Sequence, residues 1–337
     1  MSNLRDVAVL AGVSSSTVSR VLSGKSYVSE STRKAVLAAA KKLDYHPNVL
    51  AKSLKSGLTH MLALMIPDIQ NPYLPLIVRG AEDTARKNGC NMILCNTDEN
   101  IAVEEEYISA LRNRWIDGVI VSSMQRGSEH LRALRDDGFP VVLTSRFYAD
   151  DFDTVGIDNV QATYNAIKYL YQLGNRRIGI ALGNTELNVY GDRYTGYCRA
   201  LQDLGLPLDE RCVLRETAEG LESIVAQTVQ LCRDGGPCPD AIFGTSDTKA
   251  LAVMRGLRNC GKQVPQDVAV MGIDGISLGA LVSPSLTTVR QPLYEIGVEA
   301  VRKLLAQIEA NRTGREYICS VELLKTTIVE RESTCRR

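Results

Sequence analysis

Two rhythms of apolar residues divide the chain near residue 58. Before that point they follow helical spacing. The run Leu4-Arg5-Asp6-Val7-Ala8-Val9-Leu10-Ala11-Gly12-Val13-Ser14-Ser15-Ser16-Thr17-Val18-Ser19-Arg20-Val21-Leu22 predicts two short helices meeting at Ala11-Gly12-Val13. A glycine there permits the sharp turn that sets two helices at a steep angle, and Val13 plugs the small core between them. Ser14 is placed to cap the second helix, whose first N–H groups otherwise lack partners. That helix carries Val18, Val21 and Leu22 on one face and Ser15, Ser16, Ser19 and Arg20 on the other. A third helix starts within Val28-Ser29-Glu30-Ser31-Thr32-Arg33 and packs Ala35, Val36, Ala39, Ala40 and Leu43. Pro47 stops it, because its fixed φ and missing N–H break the ladder. Residues 48–56 make one short helix at most, too short to stand alone in water, so that segment is expected to order against a partner.

From residue 59 onward the rhythm changes. Short β-rich apolar runs at 61–66, 91–95, 118–122, 141–145, 177–182, 241–244 and 268–273 alternate with helical stretches at 73–88, 101–114, 161–173, 193–204, 221–233, 248–260 and 293–310. Alternating βα units predict parallel sheets covered on both faces. The pattern comes in two blocks, roughly 60–158 and 160–290, followed by a long helix and final strands: one lobe, a second lobe and a return crossing. Ligands of such folds bind outside the carboxyl ends of the strands, in the crevice between lobes.

Charge sharpens this division. The 337 residues balance to a formal net charge of zero, yet residues 1–58 hold nine Lys and Arg against three acids. A head of +6 on a body of −6 is the footprint of a module that meets phosphate. No stretch reaches the ~18 apolar residues of a membrane span, and no secretory signal is visible, so a cytoplasmic protein is expected. Nine cysteines at irregular spacing, without a Cys-x-x-Cys pair, and three scattered histidines predict no metal site and no cofactor. Most of the cysteines are expected to act as small buried hydrophobes in a reducing compartment.

The motifs Ala11-Gly12-Val13-Ser14, Thr17-Val18-Ser19-Arg20-Val21-Leu22 and Pro47-Asn48 through Ala51-Lys52-Ser53-Leu54 closely resemble the headpiece and hinge of the lactose-repressor/galactose-repressor family of bacterial transcription regulators. The resemblance covers essentially the whole chain. It implies an all-α helix-turn-helix headpiece (1–46), a hinge helix or linker (47–58), and an α/β periplasmic-binding-protein-like domain (59–337) of two doubly wound parallel-sheet lobes joined by three crossovers. Lobe one is expected at about 59–159 and 291–320, lobe two at about 160–290 and 321–337.

On this reading Ser15, Ser16 and Arg20 face base edges in the major groove, and Arg20 pairs bidentately with a guanine. Thr17, Lys25 and Asn48 belong to the same DNA-facing set, with Thr17 and Lys25 on phosphates. The resemblance implies that Leu54 wedges into the minor groove and kinks the duplex, with Lys55 beside it; the alternative is that Leu54 packs on the headpiece. A homodimer on double-stranded DNA with an inverted repeat follows. No heptad repeat follows the final strands, so a dimer rather than a tetramer is expected. In the body, Asn71, Tyr73, Arg146, Arg193, Asp247 and Asp274 sit just after predicted strands and are the candidate effector contacts. The resemblance places Tyr73, Arg193, Asp247 and Asp274 on family effector positions. For Asn71 and Asp247 the alternative is helix capping. Leu187 stands where purine-binding relatives carry a second arginine, which disfavours a purine and leaves a carbohydrate, with Arg146 and Arg193 hinting at a sugar acid or sugar phosphate. The runner-up function is a sugar-binding protein with no DNA-regulatory role. The chain shows no Gly-x-Gly-x-x-Gly fingerprint after its first strand, no phosphate loop and no Gly-x-Ser-x-Gly elbow, so an enzyme is not expected.

Overall fold

The computed structural model describes residues 3–23, 28–45, 57–112, 116–122, 129–145, 151–185, 187–233 and 238–335. The chain divides into two compact units, Met1–His60 and Met61–Arg337.

In the first unit three helices form: α1 (Leu4–Ala11), α2 (Ser15–Ser23) and α3 (Glu30–Lys42). Each begins on a side-chain cap. Asn3 accepts from the Arg5 amide at 2.8 Å while Asp6 reaches back to the Asn3 amide at 2.8 Å, a reciprocal box. Ser14 Oγ accepts from the Thr17 amide at 3.2 Å, and Ser29 Oγ from the Thr32 amide at 3.3 Å. Gly12 ends α1 with φ +64°, a conformation that side-chain-bearing residues resist. Val7, Ala8, Val18, Val21, Val36, Ala39 and Ala40 form the core, with Leu4, Val13, Leu22 and Leu43 partly buried against it. Ala35, expected in that core, is exposed. The seam of α3 follows positions 36, 39, 40 and 43, and residue 35 falls beyond its edge.

The second unit contains, among the described residues, two six-stranded sheets. The first runs β11-β5-β4-β3-β1-β2 and the second β12-β10-β9-β8-β6-β7. Strands β1 (Met61–Ile66), β2 (Asn91–Asn96), β3 (Gly118–Val121), β4 (Val141–Thr144), β5 (Asp153–Gly156) and β11 (Val321–Leu323) pair in parallel throughout. In the second sheet β6 (Ile178–Leu182), β7 (Val213–Arg215), β8 (Ala241–Gly244), β9 (Ala269–Asp274) and β10 (Thr287–Arg290) are parallel, and β12 (Thr327–Val329) adds antiparallel at the edge. β1, β3, β4 and β8 are almost wholly apolar and buried, as strands covered on both faces must be. The helices that matter for the site are α4 (Leu74–Lys87), α7 (Asn159–Gln172), α8 (Asn188–Asp203), α9 (Leu221–Cys232), α10 (Asp247–Asn259) and α11 (Leu293–Thr313). Two shorter helices precede α7: α5 (Ile101–Arg112) and α6 (Glu129–Asp136).

The chain passes between the lobes three times, at 157–158, 291–292 and 324–326. The last crossing corrects the expected boundary at 320/321. Val321 pairs with Thr154 in the first sheet, so 321–323 belongs to lobe one and only the residues after 326 join lobe two. Alternation identifies such a short strand but not the edge it joins. The cysteines also differ in part from expectation. Cys90, Cys95 and Cys212 are free and buried, whereas Cys232 and Cys238 form a disulfide. The end of α9 and the approach to β8 bring their Cα atoms to 4.6 Å, a separation that the bond requires. Among the described residues no helix is long and apolar enough to cross a membrane.

Candidate functional site

The headpiece presents one polar face. Along α2, Val18 and Val21 turn inward, while Ser16, Ser19 and Arg20 are exposed and Ser15 is half-buried. Thr17 is half-buried and its hydroxyl lies 2.9 Å from that of Ser14, so part of its hydrogen-bonding capacity goes into the cap. The face therefore offers hydroxyls at its N-terminal end and one guanidinium a turn later, the donor and acceptor types that read base edges. Lys25, Asn48, Leu54 and Lys55, the remaining DNA-facing candidates, lie outside the described residues, as does Arg146.

In the body the strand order reverses at β1, flanked by β2 and β3, and at β6, flanked by β7 and β8. The crevice beyond these carboxyl ends is lined by residues of both lobes. Lobe one contributes Pro67 after β1, Tyr73 and Leu74 at the start of α4, Ser122 after β3 and Ser145 after β4, with Ile157 on the crossing. Lobe two contributes Asn159 on α7, Val189, Tyr190 and Arg193 on α8, Ser246 after β8, Asp274 at the end of β9, and Gln291 on the second crossing. Ser145, at φ +64°, and Asp274, at φ +135°, both on the cleft wall, are in left-handed backbone that costs a non-glycine residue about 1–3 kcal/mol. The Tyr73 hydroxyl is hydrogen-bonded to the Ser145 hydroxyl.

Arg193 and Asp274 form the polar floor. Arg193 is buried; its Nε donates to Asn159 Oδ1 at 2.9 Å and its Nη1 to the Thr245 carbonyl at 2.6 Å. The same Nη1 stands 3.6 Å from Asp274 Oδ1, which also accepts from Gln291 Nε2 at 2.8 Å. Burial raises the Asp274 carboxyl to about 7; Arg193 opposes the shift and Asp247 adds to it. The floor is a guanidinium held in place by Asn159 and Thr245 beside a carboxyl group able to accept a hydroxyl.

Two of the candidate residues are placed elsewhere. Asp247, expected to receive ligand hydroxyls, is fully buried and does not line the cleft. Its Oδ2 accepts from the amides of Gly275 and Ile276, both at 2.8 Å, and its Oδ1 from the Thr288 hydroxyl at 2.6 Å. Those bonds hold the loop after β9, so Asp247 shapes the backbone beside Asp274. Asn71 also turns to backbone: its Oδ1 accepts from the Tyr73 amide at 3.2 Å and its carbonyl from the Leu74 amide at 3.1 Å, which fixes the entry to α4. Sequence reasoning missed a second charged pair behind the cleft wall. Lys249, in the first turn of α10, is buried, with Nζ 2.9 Å from Glu216 Oε2 and 3.2 Å from the Tyr190 hydroxyl. Burial opposes its charge, but Tyr190 and Glu216 outweigh that and raise its pKa above the ordinary lysine value. The one signal in the sequence was a lysine at the start of an otherwise apolar helix face, Ala250, Ala252, Val253, Met254 and Leu257.

Two family models match this chain. Residues 3–48 match the bacterial regulatory proteins of the lacI family, and residues 59–327 match the periplasmic binding proteins and sugar binding domain of the LacI family. The chain is 38 % identical to the HTH-type transcriptional regulator RegA of Clostridium acetobutylicum, over 98 % of this chain and 99 % of that protein. It is 35 % identical to the ribose operon repressor of Halalkalibacterium halodurans, over 92 % of this chain and 91 % of that protein. The solved structure of the transcriptional regulator CelR in complex with cellobiose matches at 32 % identity and a TM-score of 0.73, over 99 % of this chain and 100 % of that chain. With its capped helix-turn-helix headpiece and its two-lobed parallel-sheet body, the chain belongs to the LacI family and is a DNA-binding transcriptional regulator.

Proposed function

We propose that this regulator is a homodimeric repressor of carbohydrate-utilisation genes that binds an inverted repeat in the bacterial cytoplasm and is controlled by a neutral carbohydrate held between its lobes. The observation that carries the effector class is the internal pairing of charge around the cleft. Among the described lining residues the charged side chains are Arg193 and Asp274, 3.6 Å apart, and Lys249 behind the wall is held by Glu216, so the wall offers a polyhydroxylated ligand polar groups without a spare cation. A sugar acid or phosphate would meet Asp274 with no spare cation among these four groups. That relatives named in the comparison include a ribose operon repressor and a regulator complexed with cellobiose supports the same class.

Closure of the two lobes on a ligand turns the three crossings at 157–158, 291–292 and 324–326 into the bending points. Whether the ligand releases DNA or strengthens its grip depends on which lobe angle it binds better. Leu281 is 81 % exposed and Leu278 is exposed beside it, an apolar surface in the turn after β9 that a second copy would cover. Ser16 and Arg20 carry direct readout, worth about 1–3 kcal/mol of discrimination for a bidentate arginine–guanine pair.

The test is fluorescence anisotropy of the full-length protein on a DNA fragment it selects from its own genome, with D-ribose, cellobiose, D-glucuronate or glucose 6-phosphate added. A shift in DNA affinity with a neutral sugar, absent with the anionic ones, is expected. A shift with only the anionic sugars overturns the neutral assignment.

A further inference from the structure

Behind the cleft wall Lys249 joins Glu216 and Tyr190 in one cluster. A buried ion pair is costly to desolvate, and an apolar residue at position 249 would fill the same space more cheaply. Tyr190, which the lysine side chain touches, lines the cleft. Three contacts fix that ring. A Cβ built on Gly183 would lie 2.4 Å from Tyr190 Cε2 and 2.6 Å from Cζ, so the ring rests directly on glycine backbone where no other residue fits. Lys249 Nζ sits 4.6 Å from the ring centroid, a cation–π distance, and 3.2 Å from the hydroxyl oxygen. Glu216 Oε2, at 2.9 Å from Nζ, anchors the lysine from β7's end.

Lysine has donors and no acceptor. Its contact with Tyr190 therefore assigns the phenol oxygen as the acceptor and leaves the phenol proton to be donated elsewhere. Glu216 in turn holds the ammonium, so the direction of the chain is set: carboxylate, ammonium, phenol oxygen, phenol proton. We infer that Tyr190 is a specificity-determining effector contact, a hydrogen-bond donor aimed at one oxygen of the carbohydrate, and that Lys249 and Glu216 are the residues that position it. This rests on the cleft being the carbohydrate site.

Isothermal titration of the full-length protein tests it. The panel is D-ribose, D-xylose, D-glucose, D-galactose, maltose and cellobiose, and the tightest binder is then compared with its monodeoxy analogues. Tyr190→Phe keeps the ring and removes only the donor. It should weaken binding by about three- to tenfold, the worth of one neutral hydrogen bond, and should erase discrimination against one particular deoxy analogue. Lys249→Met should lose the same discrimination, Lys249→Arg should restore part of it, and the double variant should bind no worse than Tyr190→Phe alone. Thermal melting of each variant separates these changes from loss of fold. If the wild type binds a sugar and Tyr190→Phe binds it equally well with its discrimination intact, the donor role is overturned while the cleft assignment stands. If the wild type binds none of the panel, the carbohydrate reading of the cleft fails and the donor role falls with it.

Discussion

Among the described residues the headpiece buries only valine and alanine side chains in its core, whereas the body buries Phe152, Phe243, Tyr197 and many leucines and isoleucines. The difference matches what each unit does. A module of about sixty residues buries little apolar surface and is only marginally stable, so its chemistry has to sit on its surface, where Ser16 and Arg20 cost nothing to expose. The larger body buries a greater share of its surface, and it buries its chemistry: Arg193, Asp274, Asp247 and Lys249 are all buried ionisable groups held by partners. Surface readers act by what they reach, buried ones by what is left unpaired when a ligand arrives.

Val18→Asp carries the largest expected effect. A charge in the headpiece core costs several kcal/mol and should unfold that unit, abolishing DNA binding while titration of an effector is unchanged. Loss of both would show that the two units are not independent. Arg20→Ala should cost about 1–3 kcal/mol of specific binding, leaving melting temperature and salt-dependent non-specific binding intact. An equal fall of both affinities would make Arg20 a phosphate contact. In the body, Gly183→Ala forces the Tyr190 ring aside and should cost about 1–3 kcal/mol of stability as overpacking, with effector affinity falling alongside, both read by melting and titration.

The raised carboxyl of Asp274 gives a pH dependence. An ionised carboxylate accepts sugar hydroxyls best, so effector affinity should fall as pH drops below about 7, by up to about tenfold per unit, and Asp274→Asn should bind weakly with a flat profile between pH 5.5 and 8. The linked stability has the opposite slope. The folded state holds this proton more tightly than the unfolded chain, whose value is near 3.8, so the contribution of Asp274 to stability declines as pH rises from about 4 to about 7. The smallest effect is expected for Ser14→Ala, about 1 kcal/mol from the lost helix cap, seen in the headpiece melt alone.

The same contrast explains what the sequence discloses. The devices of the headpiece are local: Asn3 to Asp6, Ser14 to Thr17 and the turn at Gly12 each span three residues or fewer, so the residue types and their spacing announce them. The central strands of the body are equally legible, because burial on both faces leaves continuous apolar runs, whereas β5, β7, β10, β11 and β12, three or four residues each, carry no such run and were not among the strands expected at stated positions. The cleft was only partly legible. Asp247 and Asp274 each follow an apolar strand and look alike in one dimension, but Asp247 is consumed by Gly275, Ile276 and Thr288, the last 41 residues away. Lys249 finds Tyr190 across 59 residues, and no local pattern marks that meeting. Glycine at 183 was visible, yet its reason, the Tyr190 ring against its backbone, exists only in three dimensions.

The headpiece should read DNA sequence under control of the body. Selection of genomic fragments by the purified full-length protein, with and without a mixture of neutral sugars, followed by sequencing of the retained DNA, tests it most directly. An inverted repeat should be enriched in one of the two conditions, its enrichment changed by the sugars and lost in Arg20→Ala. Retention of fragments with no shared sequence in either condition would contradict it.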